Sequence, residues 1–217
     1  MDEKLIIAKV TERVKETLSG AEGGHDWWHI YRVLNTALQI AEKENADKFI
    51  VELTVLLHDI ADAKFHDGED EIAPRTAREI MSSCGVPEDI IDEVVKIIEN
   101  MSFRSEIGGK RYDSPELRVV QDADRLDAIG AIGIARAFNY GGHKGREIYN
   151  PEIPPLKFNT GEEYKSNKGP TINHFYEKLL LLKDMMKTEE GKRLAEERHE
   201  FMEKYLEQFY KEFNNEV

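Results

Sequence analysis

The 217-residue chain has few of the residues that mark several large classes of protein. Cys84 is its only cysteine, which excludes a disulfide framework and a cysteine-based zinc site. No stretch approaches the roughly 20 apolar residues of a membrane span. The charged start, MDEKLIIAKVTERVKETL, also lacks the apolar core of a signal peptide. These absences predict a soluble, cytoplasmic protein without a membrane partner.

Positive charge is also scarce. The chain has 30 Lys and Arg against 43 Asp and Glu, which gives a formal net charge of −13. General binding to nucleic acid needs a basic face, so we expect no nucleic-acid partner. A small anionic substrate is still compatible with this charge if Lys and Arg are concentrated locally. The composition does not indicate an oligomeric state.

Helical periodicity, in contrast, runs through most of the chain. Apolar residues recur every three or four positions, which predicts helices at 3–18, 27–43, 47–60, 74–84, 87–101, 115–138, 172–187 and 189–213. Asp26 and Ser114 precede such segments and are good N-caps, while Gly85 is a plausible stop. The pattern predicts an all-α protein in a single domain, 1–217, with its core at about 20–140 and C-terminal helices at 171–213.

Residues 140–170 form the one long stretch without a period. They contain five glycines and four prolines, and they carry His143, Lys144, Arg146, Lys157, Lys165 and Lys168. A loop of this length inside a compact domain is usually functional or disordered. It is therefore either a basic lid that meets substrate phosphates, which we favour slightly, or a solvated surface excursion.

Four residues in predicted helices suggest a metal site: His29, the adjacent pair His58-Asp59, and Asp124. Two imidazoles and two carboxylates suit a divalent ion that activates water. The chain has two more His-Asp pairs, but Asp26 is placed as an N-cap and His66-Asp67 lies in a polar stretch. Only His58-Asp59 follows a strongly apolar run, FIVELTVLL, so we select this pair by its context.

These motifs together resemble those of the HD-domain superfamily of metal-dependent phosphohydrolases. HDWWHIYRVLNTA is similar to the first motif of the family, LLHDIADAKF to the second, and VVQDADRLDAIGA to the third. The later segment HFYEKLLLLKDMM resembles a subgroup of small, stand-alone HD hydrolases, some of which cleave nucleoside triphosphates to monophosphates. The resemblance implies an HD-type helical bundle that hydrolyses a phosphate ester or anhydride, with a nucleotide as the expected substrate.

The resemblance also implies roles for individual residues. His29, His58, Asp59 and Asp124 match the ligands of one divalent ion, which is Mn, Co, Ni, Fe or Mg, and manganese is one expectation. Asp62, Lys64 and Asp67 are the candidate catalytic residues, with Asp62 matching an acidic position that orients or activates the water. The candidate substrate contacts are Arg125, His143, Lys144, Arg146, Lys168, His174 and Lys178. Because only His66 lies between Asp59 and Asp124 as a further histidine, we expect a mononuclear site.

Several other interpretations stay open. Each candidate catalytic residue can instead belong to an ion pair on the surface. His174 can be a polar residue at the start of a helix, and Lys178 a solvated lysine. Asp122 and Asp127 flank Asp124 and are interpreted as structural or as supports for the ligands. At the level of function, the alternatives are a nucleotide-directed phosphomonoesterase, a catalytically silent nucleotide-binding regulatory module, and a helical interaction protein in which the four residues never meet.

Overall fold

The computed structural model describes residues 2–18, 26–60, 72–101, 112–158, 163 and 167–216. Its α-helices are α1 (Glu3–Thr17), α2 (Trp27–Glu44), α3 (Lys48–Leu57), α4 (Ile72–Cys84), α5 (Glu88–Glu99), α6 (Pro115–Asp127), α7 (Gly130–His143), α8 (Asn173–Glu177) and α9 (Glu189–Phe213), with a 3₁₀ segment at Leu179–Met185. These described ranges contain no strand, which confirms the all-α class. None of the helices described is both long and apolar enough to cross a membrane.

Local capping explains where several helices begin. The Asp26 carboxylate accepts the His29 backbone N–H at 2.9 Å, so α2 begins directly after Asp26. Asp47 caps α3 in the same way, and the Ser114 hydroxyl accepts the Leu117 N–H at 3.1 Å at the start of α6. Each such cap contributes about 1 kcal/mol and fixes the register of the first turn. The N-caps expected at Asp26 and Ser114 are therefore confirmed.

The chain divides into two compact units, Met1–Asp124 and Arg125–Val217. In the first unit, α3 packs against α1, α2 and α5, and α4 packs against α1 and α5. The buried residues of α3 are Phe49, Val51, Leu53, Thr54, Val55, Leu56 and Leu57, so this helix is apolar on nearly every side. A helix of that kind belongs at the centre of a core.

In the second unit, α9 packs against α7 and against the 3₁₀ segment, which in turn contacts α8. An aromatic cluster fills this unit and includes Phe138, Phe175, Tyr205 and Phe209. Residues 144–158 and 167–172 contain no helix, which agrees with the aperiodic composition of the segment. The expectation of a single domain over 1–217 stays a prediction.

The long helix expected at 115–138 is wrong. The structure ends α6 at Asp127 and starts α7 at Gly130, which has a φ of +76°, a backbone conformation that favours glycine. Gly133 follows in the first turn of α7, where a Cβ would collide with the carbonyl of Ala128. Gly130 provides the positive φ of the turn, and Gly133 allows the first turn of α7 to approach the Ala128 carbonyl. A continuous helix would have neither feature.

Three smaller boundaries also differ from the expectation. Helix α3 ends at Leu57 rather than at 60, so that His58, Asp59 and Ile60 form a turn. The segment expected to be helical at 172–187 is a short α8 followed by the 3₁₀ segment. Helix α7 continues to His143, so the irregular segment begins at 144 rather than at 140.

Candidate metal centre

His58 lies at the C-terminal cap of α3, where the carbonyls of the last turn have no partner within the helix. Its Nδ1 is 2.8 Å from the Val55 carbonyl oxygen. Because a carbonyl can only accept, Nδ1 carries the proton, and Nε2 of the neutral ring presents a lone pair. A hydrogen bond of this kind orients a metal-binding histidine and fixes its tautomer. The apolar core around α3 thus supplies one ligand in a set orientation.

His29 occupies the first turn of α2, and 1% of its side chain is exposed. The Asp26 cap determines which residue of the turn faces inward, and the buried stripe of Ile30, Val33 and Ala37 holds that face against the core. The His29 and His58 ring centroids are 5.6 Å apart. Two buried imidazoles thus converge from different helices.

Two carboxylates complete the group. His29 Nε2 lies 3.3 Å from Asp59 Oδ2 and 3.5 Å from Asp124 Oδ1. His58 Nε2 lies 3.5 Å from the same Asp59 oxygen and 4.0 Å from the same Asp124 oxygen. The tightest group is His29, His58 and Asp59, whose ligand atoms all lie within 4.8 Å of one another. Asp124 approaches it from the last turn of α6.

The residues fit a divalent cation. Ligand atoms about 2.1 Å from one ion, at angles of 90–109°, lie roughly 3.0–3.4 Å apart, and the observed separations are close to this range. His58 Nε2 is buried and has no hydrogen-bond partner in the part of the chain that the structure describes. A buried polar atom without a partner is costly, and a bound ion would remove that cost. The cluster is therefore able to hold a divalent metal ion.

Asp122 and Asp127 lie on either side of Asp124 in α6 and are both buried. The Asp127 carboxylate pairs with Arg136 on α7, an interaction inside the second unit. Asp127 therefore has a structural partner and is not one of the converging carboxylates. Neither residue belongs to the group of His29, His58 and Asp59 whose ligand atoms lie within 4.8 Å of one another.

The candidate catalytic residues Asp62, Lys64 and Asp67 lie in residues 61–71, outside the described residues. Their assignment stays a prediction. Arg125, a candidate phosphate contact, is described: its Nη1 donates to the Met185 carbonyl at 3.0 Å. At least one donor of Arg125 is thus used in a hydrogen bond within the second unit.

The other candidate substrate contacts belong to the second unit. Arg146 donates to the Asn167 carbonyl at 2.8 Å, and the Arg146 guanidinium and the Lys144 ammonium lie over the Tyr140 ring at 5.5 and 5.7 Å from its centroid. His143 is the last residue of α7 and, like Lys168, is exposed. Tyr140 was not singled out from the sequence, because an aromatic residue on a helix is more often part of a core.

His174 and Lys178 do lie close together, although α8 ends between them. Burial, together with the smaller effects of the nearby charges of Lys178 and Arg146, lowers the pKa of His174 to about 4. His174 is therefore neutral at pH 7. Lys178 is exposed at the end of α8. The result is a local group of positive charge beside a neutral imidazole in an acidic protein.

Comparison with known proteins adds a further finding. A family model described as HD domain matches residues 27–129, which include all four converging residues. The Bacillus subtilis protein YpgQ is 42% identical over 202 residues, covering 92% of this chain and 89% of YpgQ. A structure described as an HD-superfamily hydrolase from Bacillus thuringiensis is 43% identical, with a TM-score of 0.78 and coverage of 98% of both chains. A structure of YpgQ in complex with ADP is 40% identical, with a TM-score of 0.78 and coverage of 98% of this chain and 97% of that chain.

Proposed function

Because the chain belongs to the HD-domain family, we propose that it is a metal-dependent phosphohydrolase that acts on nucleotides and cleaves a nucleoside triphosphate to a monophosphate and pyrophosphate. The observation that carries this proposal is the convergence of two imidazoles and two carboxylates within 3.3–4.0 Å. The same four residues match the ligand positions of the family motifs. We assign His29, His58, Asp59 and Asp124 as the ligands of one divalent ion.

Different residues of the chain would orient the metal ligands and take the proton of the attacking water. A divalent ion, when bound, lowers the pKa of a coordinated water and polarises a phosphoryl oxygen. The Val55 carbonyl holds His58 in the tautomer that binds an ion, and the Asp26 cap sets the register of His29. We assign Asp62 as the base that takes the proton of the attacking water, with Lys64 and Asp67 as further candidates beside it.

The proposal of a nucleotide substrate has two supports. Among the related structures, YpgQ was solved in complex with ADP. ADP is a nucleotide with a diphosphate, the class of ligand that we propose for this chain. In this chain, Lys144, Arg146 and Lys178 are cations of the second unit, and we assign them to the substrate phosphates together with Arg125, His143, Lys168 and His174. Fixed cations stabilise the charge that develops on a transferred phosphoryl group.

The experiment that tests this function is a panel of nucleoside tri-, di- and monophosphates with Mn²⁺, Co²⁺, Ni²⁺ and Mg²⁺, in which pyrophosphate and orthophosphate are measured separately. We expect pyrophosphate release from a triphosphate that depends on the metal. Orthophosphate release from a monophosphate would point instead to a phosphomonoesterase. Nucleotide binding without turnover under every metal would point to a regulatory module, and a protein that binds no metal would overturn the proposal.

A further inference from the structure

We propose that Gln121 is a positioning residue for the metal centre, which holds Asp124 opposite the two imidazoles by tying α6 to the end of α5. The inference rests on the proposed function of the four ligands and concerns only the first unit. Gln121 was not singled out from the sequence. The available signal was a polar residue within the apolar run of α6, among Leu117, Val120 and Ala123, all of which are buried.

The side-chain amide of Gln121 contacts two backbone carbonyls. Its Nε2 donates to the Asn100 carbonyl at 3.1 Å and approaches the Met101 carbonyl at 3.4 Å. Asn100 is the C-cap of α5, and the carbonyls at this end of a helix have no partner within it. The Gln121 side chain is buried, with 3% of the residue exposed. Removal of this side chain leaves two part-buried carbonyls without their donor, and an acceptor left without a partner is costly.

This contact links α6, which carries Asp124, to the end of α5. Helix α5 packs against α3, and α3 ends at Leu57, directly before His58 and Asp59. Gln121 and Asp124 are three residues apart on α6, which places them on neighbouring positions of the same side, one turn from each other. A shift of α6 at Gln121 therefore moves Asp124 relative to His58 and Asp59.

The amide group is specific to this task. A methionine of similar length fills the space but cannot donate to a carbonyl. An ionised glutamate accepts only, and it would face two carbonyl oxygens. An asparagine keeps the donor but is shorter by one methylene, so it cannot reach the same acceptors without movement of α6.

The test measures Mn²⁺ affinity by titration calorimetry of the purified full chain, alongside the thermal unfolding of the metal-free protein. Gln121→Met should weaken Mn²⁺ binding by about 10–100-fold, as removal of supports behind metal ligands does, and Gln121→Asn should weaken it less. The matched control is Met81→Ala, which truncates a fully buried residue of α4. It should lower the unfolding temperature without changing the affinity.

A double-mutant cycle distinguishes an effect of Gln121 that acts through Asp124 from a general loss of stability. In an Asp124→Ala background, where His29, His58 and Asp59 remain, Gln121→Met should change the Mn²⁺ affinity by less than twofold. Unchanged affinity in Gln121→Met, a loss of equal size in Met81→Ala, or additive losses in the cycle would overturn the inference alone. A wild-type protein that binds no divalent ion would overturn the proposed function as well.

Discussion

At the scale of single residues, the candidate site depends on which atom of each side chain is already engaged. His58 uses Nδ1 for the Val55 carbonyl at 2.8 Å, so only Nε2 faces Asp59 and Asp124. The carboxylates lie where each of them can meet both imidazoles. The ligands and the base are therefore expected to respond differently to substitution.

Removal of a ligand from the tightest group, His29, His58 and Asp59, should abolish both metal binding and turnover, whereas removal of the base should abolish only turnover. His58→Ala and Asp59→Ala should leave protein without bound metal by elemental analysis and without phosphate release. Asp62→Ala should retain the metal and lose about 10²–10⁴-fold in kcat, the usual contribution of a positioned base. Full activity in Asp62→Ala would leave that residue with a structural role or none.

His174 gives a prediction about pH. Burial is the main reason that its folded pKa is lowered from the ordinary value of 6.5 to about 4. The unfolded chain therefore binds more protons between these two values, and the free energy of unfolding falls as the pH drops from about 6.5 to about 4. Below the folded pKa this loss is complete, and it reaches roughly 3 kcal/mol at most, since one pKa unit corresponds to about 1.4 kcal/mol.

The measurement is urea unfolding at a series of pH values, for wild type and for His174→Gln, which keeps a polar group but does not titrate. The free energy of unfolding of wild type minus that of His174→Gln should increase as the pH rises from about 4 to about 6.5. A difference that stays constant from pH 4 to 7 would show that His174 does not have the lowered pKa.

At the scale of helices, prediction from sequence worked where the signal is local. Helix α9 was expected at 189–213 and is found there. Its charged outer face lies within the segment, and its cap, Thr188, directly precedes it. The break between α6 and α7 was missed, because an isolated glycine in a helical pattern is usually tolerated. The reason for glycine at 130 is distant in sequence: Arg198 on α9 packs there and donates to the Leu126 carbonyl.

Gly130→Ala should therefore destabilise the protein, and Gly142→Ala is the matched control. An alanine at 130 would sit at a φ of +76°, with its Cβ 3.0 Å from Arg198 Cγ, and strain of this kind costs on the order of 1–3 kcal/mol. Beyond its chain neighbours and its own helix backbone, the described residues place no atom within 4 Å of a Cβ at Gly142, where alanine should stabilise α7 by up to about 1 kcal/mol. Thermal unfolding of the two variants should shift in opposite directions, and equal shifts would contradict the proposed role of Gly130.

The candidate site shows the same division between local and distant information. Context in the sequence selected His58-Asp59 among three His-Asp pairs, and the structure brings this pair to His29 and Asp124. Spacing alone did not reveal that convergence, which the resemblance to a family implied. Gln121 was missed because the two carbonyls that it contacts lie at the end of another helix, and no residue type in the sequence marks them.

At the scale of the whole molecule, the formal charge of −13 opposes the approach of a polyanion. Screening over about 8–10 Å at moderate ionic strength limits the effect of distant charges, so local cations decide how a substrate binds. The strongest candidates are Lys144 and Arg146, which both lie over the Tyr140 ring. We expect these two cations to contact the phosphates beyond the one attacked.

Neutralising both, as Lys144→Gln with Arg146→Gln, should raise KM for a nucleoside triphosphate more than for a monophosphate ester, because only the triphosphate has phosphates for them to bind. The metal content should not change. The control pair Lys204→Gln with Lys211→Gln removes two charges of the same sign from α9, where Lys204 is exposed, Lys211 is half-exposed and each is paired with a glutamate. If the control raises KM for the triphosphate as much, the effect belongs to the overall charge and not to a phosphate site. An equal effect on both substrates would return residues 144–158 and 167–170 to the interpretation as a solvated surface segment.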